Sequence, residues 1–181
     1  MLITLLNDSP EYSKIIAHTL FEEWSAIYIR HSSYKTVELL LDLYIKKNGR
    51  DYNMPLTFVA IDEETKAFIG CFTLSSSLFK LYLCDVIVDK SYRNKGYGKK
   101  IVNYAIEYAK NEGYPNLYIY LDPDYKLMAF YQTFGFMDDD YIDGFNRKRM
   151  ILRLIEKKND YMYLILFVVI LCIIFLFFFG Y

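Results

Sequence analysis

Residues 161–179 read Tyr-Met-Tyr-Leu-Ile-Leu-Phe-Val-Val-Ile-Leu-Cys-Ile-Ile-Phe-Leu-Phe-Phe-Phe, without one charged side chain. As a helix the run would be about 28 Å long, close to the hydrocarbon thickness of a bilayer. A helix buried in a soluble core normally keeps a polar face, and this run has none. It is therefore expected to leave the globular part of the chain and cross a membrane. Tyr161, Tyr163 and Tyr181 stand near its two ends, where amphipathic rings prefer to lie. Arg147, Lys148, Arg149, Arg153, Lys157 and Lys158 precede it. A basic excess on that side predicts a domain that faces the cytosol. Only Gly180 and Tyr181 follow, so the expectation is a single-pass C-terminal tail anchor inserted after synthesis. Residues 156–160 form a short mixed-charge linker that would keep the domain close to the membrane.

The remaining chain, residues 1–155, has the length of one compact domain. The net charge of -1 gives no basic face for a nucleic acid. Cys71, Cys84 and Cys172 are an odd set without a secretory signal, which argues against a disulfide framework. Cys71 and Cys84 lie in apolar strand-like runs and read as small core residues. Met1 to Leu6 lacks a basic start and is too short for a signal sequence, so it reads as a first strand.

Ser9-Pro10 predicts an N-cap with proline at the first helical position, and Ala17, Leu20, Phe21 and Trp24 recur at helical spacing. Val37, Leu40, Leu41 and Tyr44 predict a second helix with Gly49 beyond its end. The segments 57–61 and 67–74 flank a polar turn at 62–66 and read as a hairpin. Residues 81–88 are a largely apolar strand, expected to be buried on both faces. A helix follows from about residue 98, with Ile101, Val102, Ala105, Ile106 and Ala109 on its apolar side, stopped by Gly113-Tyr114-Pro115. Strands at 117–121, 136–141 and 149–155 and a short helix at 125–133 complete the order β-α-α-β-β-β-α-β-α-β-β. Asp143-Gly144 joins the last two strands.

Between the strand at 81–88 and its following helix stands Arg93-Asn94-Lys95-Gly96-Tyr97-Gly98-Lys99-Lys100. A helix N-terminus offers unpaired N–H groups and a partial positive charge. Gly96 and Gly98 remove side chains that would keep phosphate oxygens away from the backbone. Arg93, Lys95, Lys99 and Lys100 add charge, so the expected ligand is a pyrophosphate. The pattern lacks the Gly-Lys-Ser/Thr of a P-loop and the third glycine of a dinucleotide fingerprint. A plain glycine turn would look the same in isolation; the flanking strand and amphipathic helix are what set it apart.

Val86-Ile87-Val88, then Arg93-x-x-Gly96-x-Gly98, then Ala129-Phe130-Tyr131-Gln132-x-x-Gly135-Phe136 resemble the GNAT superfamily of acyl-CoA N-acyltransferases. The match is closest over residues 56–137; over 1–55 it rests on Glu23-Trp24. The resemblance implies a mixed α/β fold: a mostly antiparallel six- to seven-stranded sheet, splayed between two strands, with about four flanking helices. It implies acetyl-CoA as co-substrate, an amine as acceptor, direct transfer without a covalent enzyme intermediate, and no metal. Backbone amides of residues 93–98 would bind the CoA pyrophosphate, with Lys99 beside them. Val86, Ile87 and Val88 would hold the pantetheine arm like an added strand, and Tyr131 would face the thioester sulfur as general acid. Two positions depart from the pattern. Asp124 stands where an asparagine that contacts the cofactor is frequent, and Leu127 where alanine is frequent.

The general base is open among Glu22, Glu23, Asp85 and Asp122, with Glu23 on the acceptor side by analogy. Asp85 lies within a strand expected to be central, so its carboxylate needs a partner or a raised pKa. Trp24 reads as core or as a platform for the acceptor. His18 and His31 show no ligand spacing. A contrasting reading is a non-catalytic membrane adaptor that keeps the acyl-CoA-binding fold; Asp124 and Leu127 favour it.

Overall fold

A computed structural model describes residues 1–31, 35–48 and 54–154. The linker at 156–160, the apolar run at 161–179 and Gly49 lie outside the described residues. Among the described residues no helix is long and apolar enough to cross a membrane.

The elements run β1 (Leu2–Leu5), α1 (Ser13–His31), α2 (Val37–Asn48), β2 (Leu56–Ile61), β3 (Phe68–Ser77), β4 (Lys80–Val88), α3 (Tyr97–Asn111), β5 (Asn116–Leu121), α4 (Tyr125–Gln132), β6 (Met137–Ile142) and β7 (Lys148–Arg153). The seven strands form one sheet in the order β1-β2-β3-β4-β5-β7-β6. Every neighbouring pair is antiparallel except β4 and β5. This is the mixed α/β architecture expected from the motifs.

Alternation along β2 shows why the sheet carries a core on each face. Phe58 and Ala60 belong to a cluster with Ile101, Val102 and Ala105 of α3 and Tyr131 of α4. Val59 and Ile61 belong to a second cluster with Ile16, Ala17 and Leu20 of α1 and Leu40 and Tyr44 of α2. A period of two along the strand sends neighbours to opposite faces. The i, i+4 spacing of Ile101, Ala105 and Ala109, all fully buried, supplies the stripe that holds α3 down. Gly113, at φ +76°, ends that helix by a left-handed turn.

Two local expectations are corrected. Pro10 opens a short 3₁₀ turn, Ser9 makes no side-chain cap, and α1 starts only at Ser13. The strand predicted at 67–74 runs on to Ser77. The strand at 81–88 is buried toward both faces as expected: Leu81 and Leu83 join the core under α3, and Ile87 joins the core under α1 and α2. Tyr82, Cys84, Val86 and Val88 are only half-buried, because this strand also lines a groove.

That groove follows from one irregularity. Cys71 pairs with Ile87 and Thr73 with Cys84, so β4 carries one extra residue between them. Asp85 sits there at φ +52°, a β-bulge that bends the strand. β3 meets the bulge closely: a Cβ on Gly70 would lie well inside contact distance of the Ile87 carbonyl oxygen. β4 and β5 pair only at Leu81–Leu117 and Tyr82–Tyr118 and diverge beyond.

Candidate active site

The divergence leaves a cavity of about 760 Å³ walled by β4 from Tyr82 to Val88, by β5 from Ile119 to Leu121 with Asp122 just beyond it, and by Trp24, Leu127 and Tyr131. Beyond Tyr82 the β5-facing edge of β4 has no strand partner in β5. Its backbone can receive an extended ligand as an added strand.

At the end of β4 the chain enters the glycine turn. Asp89 accepts hydrogen bonds from Ser91 N and Ser91 Oγ on one carboxylate oxygen, which starts the turn. Asn94 (φ +61°) and Gly96 (φ +82°) are both left-handed. Asparagine tolerates this conformation better than most side chains, and glycine adopts it freely. Gly96 is the N-cap of α3 and offers no side-chain acceptor, so the first-turn N–H groups are left for a ligand. The two glycines differ in what they require. At Gly96 a Cβ would meet nothing, and only the dihedral excludes other residues. At Gly98 a Cβ would make ordinary contacts with Phe130, 3.6 Å, and Val88, 3.8 Å, so the fold itself does not demand glycine there. An approaching phosphate would.

The cations of the turn are partly engaged. Lys95 Nζ donates to Ser91 O at 2.9 Å, and Lys99 is exposed. Arg93 donates from Nε to Val88 O and from Nη2 to Glu23 Oε2, each at 2.9 Å. It thereby bridges the strand end and α1. Both side chains of the Arg93–Glu23 pair are about one-third exposed, at 37% and 31%. Such pairs contribute about 0–1 kcal/mol and can be exchanged for a ligand at little cost. Glu22 turns elsewhere, 3.8 Å from Lys90 with both side chains largely exposed.

Tyr131 stands at the far wall, 3% exposed. Burial, reinforced by neighbouring Cys84, pushes its phenol above the usual tyrosine range, so the hydroxyl stays protonated at neutral pH. Cys71 is fully buried as expected. Cys84 is not a core residue: it is half-buried and lines the groove. Asp85 has the partner that its position demanded, since Tyr44 Oη donates to its Oδ2 at 3.0 Å. Trp24, where α1 departs from helical dihedrals (φ -125°, ψ 23°), is on the cavity wall.

The structure thus brings Glu23, Asp85, Val86, Ile87, Val88, Arg93, Asp122 and Tyr131 to one groove. Residues 94–96 form the turn at its end and 97–99 the first turn of α3; none of them is part of the cavity wall. Asp124 is not on that wall either. It is the N-cap of α4, with Oδ1 accepting from Lys126 N at 2.7 Å and Leu127 N at 3.3 Å. Leu127 is on the wall. Sequence reasoning missed Ser75, Ser77, Tyr82, Tyr120 and Arg147, which also line the cavity. Tyr82 and Tyr120 stack at 5.7 Å, and the Arg147 guanidinium lies 5.2 Å above the Tyr120 ring. The alternation Tyr118-Ile119-Tyr120 was the available signal, but nothing in it reveals which strand lies opposite. Among the described residues no side-chain cluster could hold a metal ion.

The sequence pattern of the acetyltransferase (GNAT) family matches residues 17–136. The chain belongs to that family. Over 68 residues it is 35% identical to "GCN5-related N-acetyltransferase 1, chloroplastic" of Arabidopsis thaliana, a stretch covering 37% of this chain and 34% of that one. It thus spans about a third of the length of this curated relative. Among solved structures it is similar to the PaiA N-acetyltransferase of Thermoplasma acidophilum in complex with coenzyme A: TM-score 0.63, 21% identity, 84% of this chain and 99% of that one. It is also similar to mutant forms of the spermidine/spermine N-acetyltransferase SpeG of Vibrio cholerae, with TM-score 0.64, 20% identity and coverage of 84% and 94%. At such identities the likeness is one of fold.

Proposed function

We propose that residues 1–155 are an acetyl-CoA-dependent N-acetyltransferase domain, held at a membrane by residues 161–179 and facing the cytosol. The observation that carries the catalytic part is the continuous path from the unpaired edge of β4 to the uncapped N-terminus of α3, with protonated Tyr131 across the groove. In this reading the pantetheine arm lies along Val86–Val88 and the pyrophosphate rests on the amides of residues 93–98. A backbone N–H near Val86 or Ile87 stabilises the developing oxyanion. The acceptor amine attacks the thioester carbonyl; the C–N bond forms and the C–S bond breaks. The ammonium proton leaves to a carboxylate, directly or through water. Asp85, at the bulge, and Glu23, beside the turn, are the carboxylates we assign to that side. Tyr131 donates its proton, or a hydrogen bond, to the departing thiolate.

The acceptor is proposed as a primary amine. Polyamines and aminoglycosides, named for the structural relatives, are a first panel to screen. The test is thiol release from acetyl-CoA by the purified full chain in detergent with that panel. Amine-dependent release supports transfer. Tight CoA binding with neither amine-dependent release nor slow hydrolysis favours the second reading, a membrane adaptor that retains the fold. Leu127 supports that second reading, because it narrows the groove where the family often has alanine. The membrane part rests on the uncharged run and the basic residues before it. Flotation of the full chain with vesicles, against a chain ending at Lys158, tests it; equal flotation of the two would remove the anchor.

A further inference from the structure

The β3–β4 hairpin turns at Leu78 and Phe79, between the paired residues Ser77 and Lys80. Both turn residues have positive φ, +48° and +63°. A two-residue hairpin of this kind favours Asn-Gly, which accepts such dihedrals readily. Here two bulky apolar residues occupy it at a conformational cost. They are also highly exposed, at 87% and 99%, for large hydrophobic residues among the described ones. Neither core packing nor turn preference accounts for them.

Their position in the sheet does. Leu81 is level with Leu117, and Asn116 is level with Arg153. Lys80, Asn116 and Arg153 therefore end neighbouring strands along one edge of the sheet. Leu78 and Phe79 project beyond that edge from β4. Leu154, whose N–H donates to Pro115 O at 2.9 Å, projects beyond it from β7. Two strand spacings, about 10 Å, separate the two exits. The uncharged run starts seven residues after Leu154, within roughly 25 Å of it even if the chain is fully extended. The apolar tip and the start of the apolar run thus leave the same end of the molecule. Lys80 adjoins the tip and Arg153 ends β7 on the same side of the sheet, as suits a surface bearing lipid phosphates.

We infer that Leu78 and Phe79 are a wedge that inserts into the lipid bilayer beside the anchor and restricts the orientation of the domain. The inference rests on the proposed membrane reading of residues 161–179. One contact with the bilayer would leave the domain free to tilt on its linker. A second contact restricts that tilt to rotation about the line joining the two. The glycine turn at the other end of β4 is then held about 30 Å from the lipid, open to water-borne acetyl-CoA and acceptor.

The test uses the full chain in phosphatidylcholine vesicles whose acyl chains carry bromine, a short-range quencher of indole. Trp24 is the single native tryptophan and supplies the background. Phe79→Trp probes the tip. Tyr125→Trp, 91% exposed at the opposite end of the sheet, is the control. The expected result is that the added emission of Phe79→Trp is quenched at least about threefold more than that of Tyr125→Trp. Equal quenching in a chain that floats with the vesicles overturns the wedge and leaves the anchor standing. A tip unquenched by lipid but shielded in a dimer assigns it to a second copy and also overturns the inference. Failure of the wild-type chain to float removes the membrane reading and the wedge together.

Discussion

Two parts of the groove are built from different material. The end at the glycine turn is made of main chain: the free edge of β4, the left-handed Asn94 and Gly96, and the uncapped first turn of α3. The rest of the wall is made of side chains from elements far apart in sequence. Trp24 comes from α1, Tyr82 from β4, Tyr120 from β5 and Arg147 from just before β7. Backbone donors are the same in any sequence that folds this way, so they suit a constant partner such as a pyrophosphate. Side chains can vary independently of the fold, so they suit the partner that distinguishes one enzyme from another.

The predictions probe this division, beginning with the buried phenol of the wall. Tyr131→Phe keeps the ring and its packing and removes the hydroxyl. Turnover is expected to fall about 10- to 100-fold, with acetyl-CoA affinity nearly unchanged by calorimetry. A thiolate leaves with a pKa near 8.5, below the raised phenol, so full proton transfer is uphill and the benefit stays moderate. A variant with full turnover would make the tyrosine a packing residue. An equal fall in binding and turnover would move its contact to the ground state. Because burial raises this pKa, the neutral phenol is favoured by folding. The group's contribution to stability is complete below about pH 10 and is lost as pH rises above it. The alkaline decline in melting temperature should therefore be smaller in Tyr131→Phe than in wild type.

At the main-chain end, Gly96→Val is expected to cost at least about tenfold in CoA affinity, ~1.4 kcal/mol, because a β-branched residue resists φ +82°. Gly98→Ala sharpens the point. There is room for its Cβ in the fold, so the melting temperature should hold while affinity falls by about threefold or more. Unchanged affinity in both variants would remove the pyrophosphate assignment.

Tyr44→Phe takes the hydrogen bond from Asp85 and leaves a half-buried carboxylate with one partner fewer. The cost should be about 1–2 kcal/mol, seen as a melting temperature lower by several degrees. Wild-type stability would mean that Asp85 is held by other groups. The smallest effect is expected at the Glu23–Arg93 pair beside the turn. Glu23→Gln breaks a partly exposed ion pair, so stability should hardly change. If Glu23 meets the acceptor, KM for the amine rises severalfold while acetyl-CoA affinity stays. A fall in acetyl-CoA affinity instead would place Glu23 with the turn.

By itself the sequence determined the order of the elements, the apolar stripe of α3 and the position of the glycine turn. Each is a local matter: strand period, helix period and the dihedral freedom of glycine act over a few residues. The charge-free run at 161–179 is legible for the same reason, since hydropathy needs no partner. Tertiary structure decided the rest. The bulge at Asp85 could not be read because an extra residue shows only against the register of β3, and Gly70 looked ordinary until the Ile87 carbonyl was beside it. Cys84 read as core because an apolar strand does not say where its neighbour diverges. Asp124 stands at a position where a cofactor contact is expected by resemblance, and its carboxylate caps α4, since short-range backbone donors compete for the same oxygen. Tyr82, Tyr120 and Arg147 became one wall only when β4, β5 and β7 were laid side by side, because the chain separating them carries no record of their distance in space.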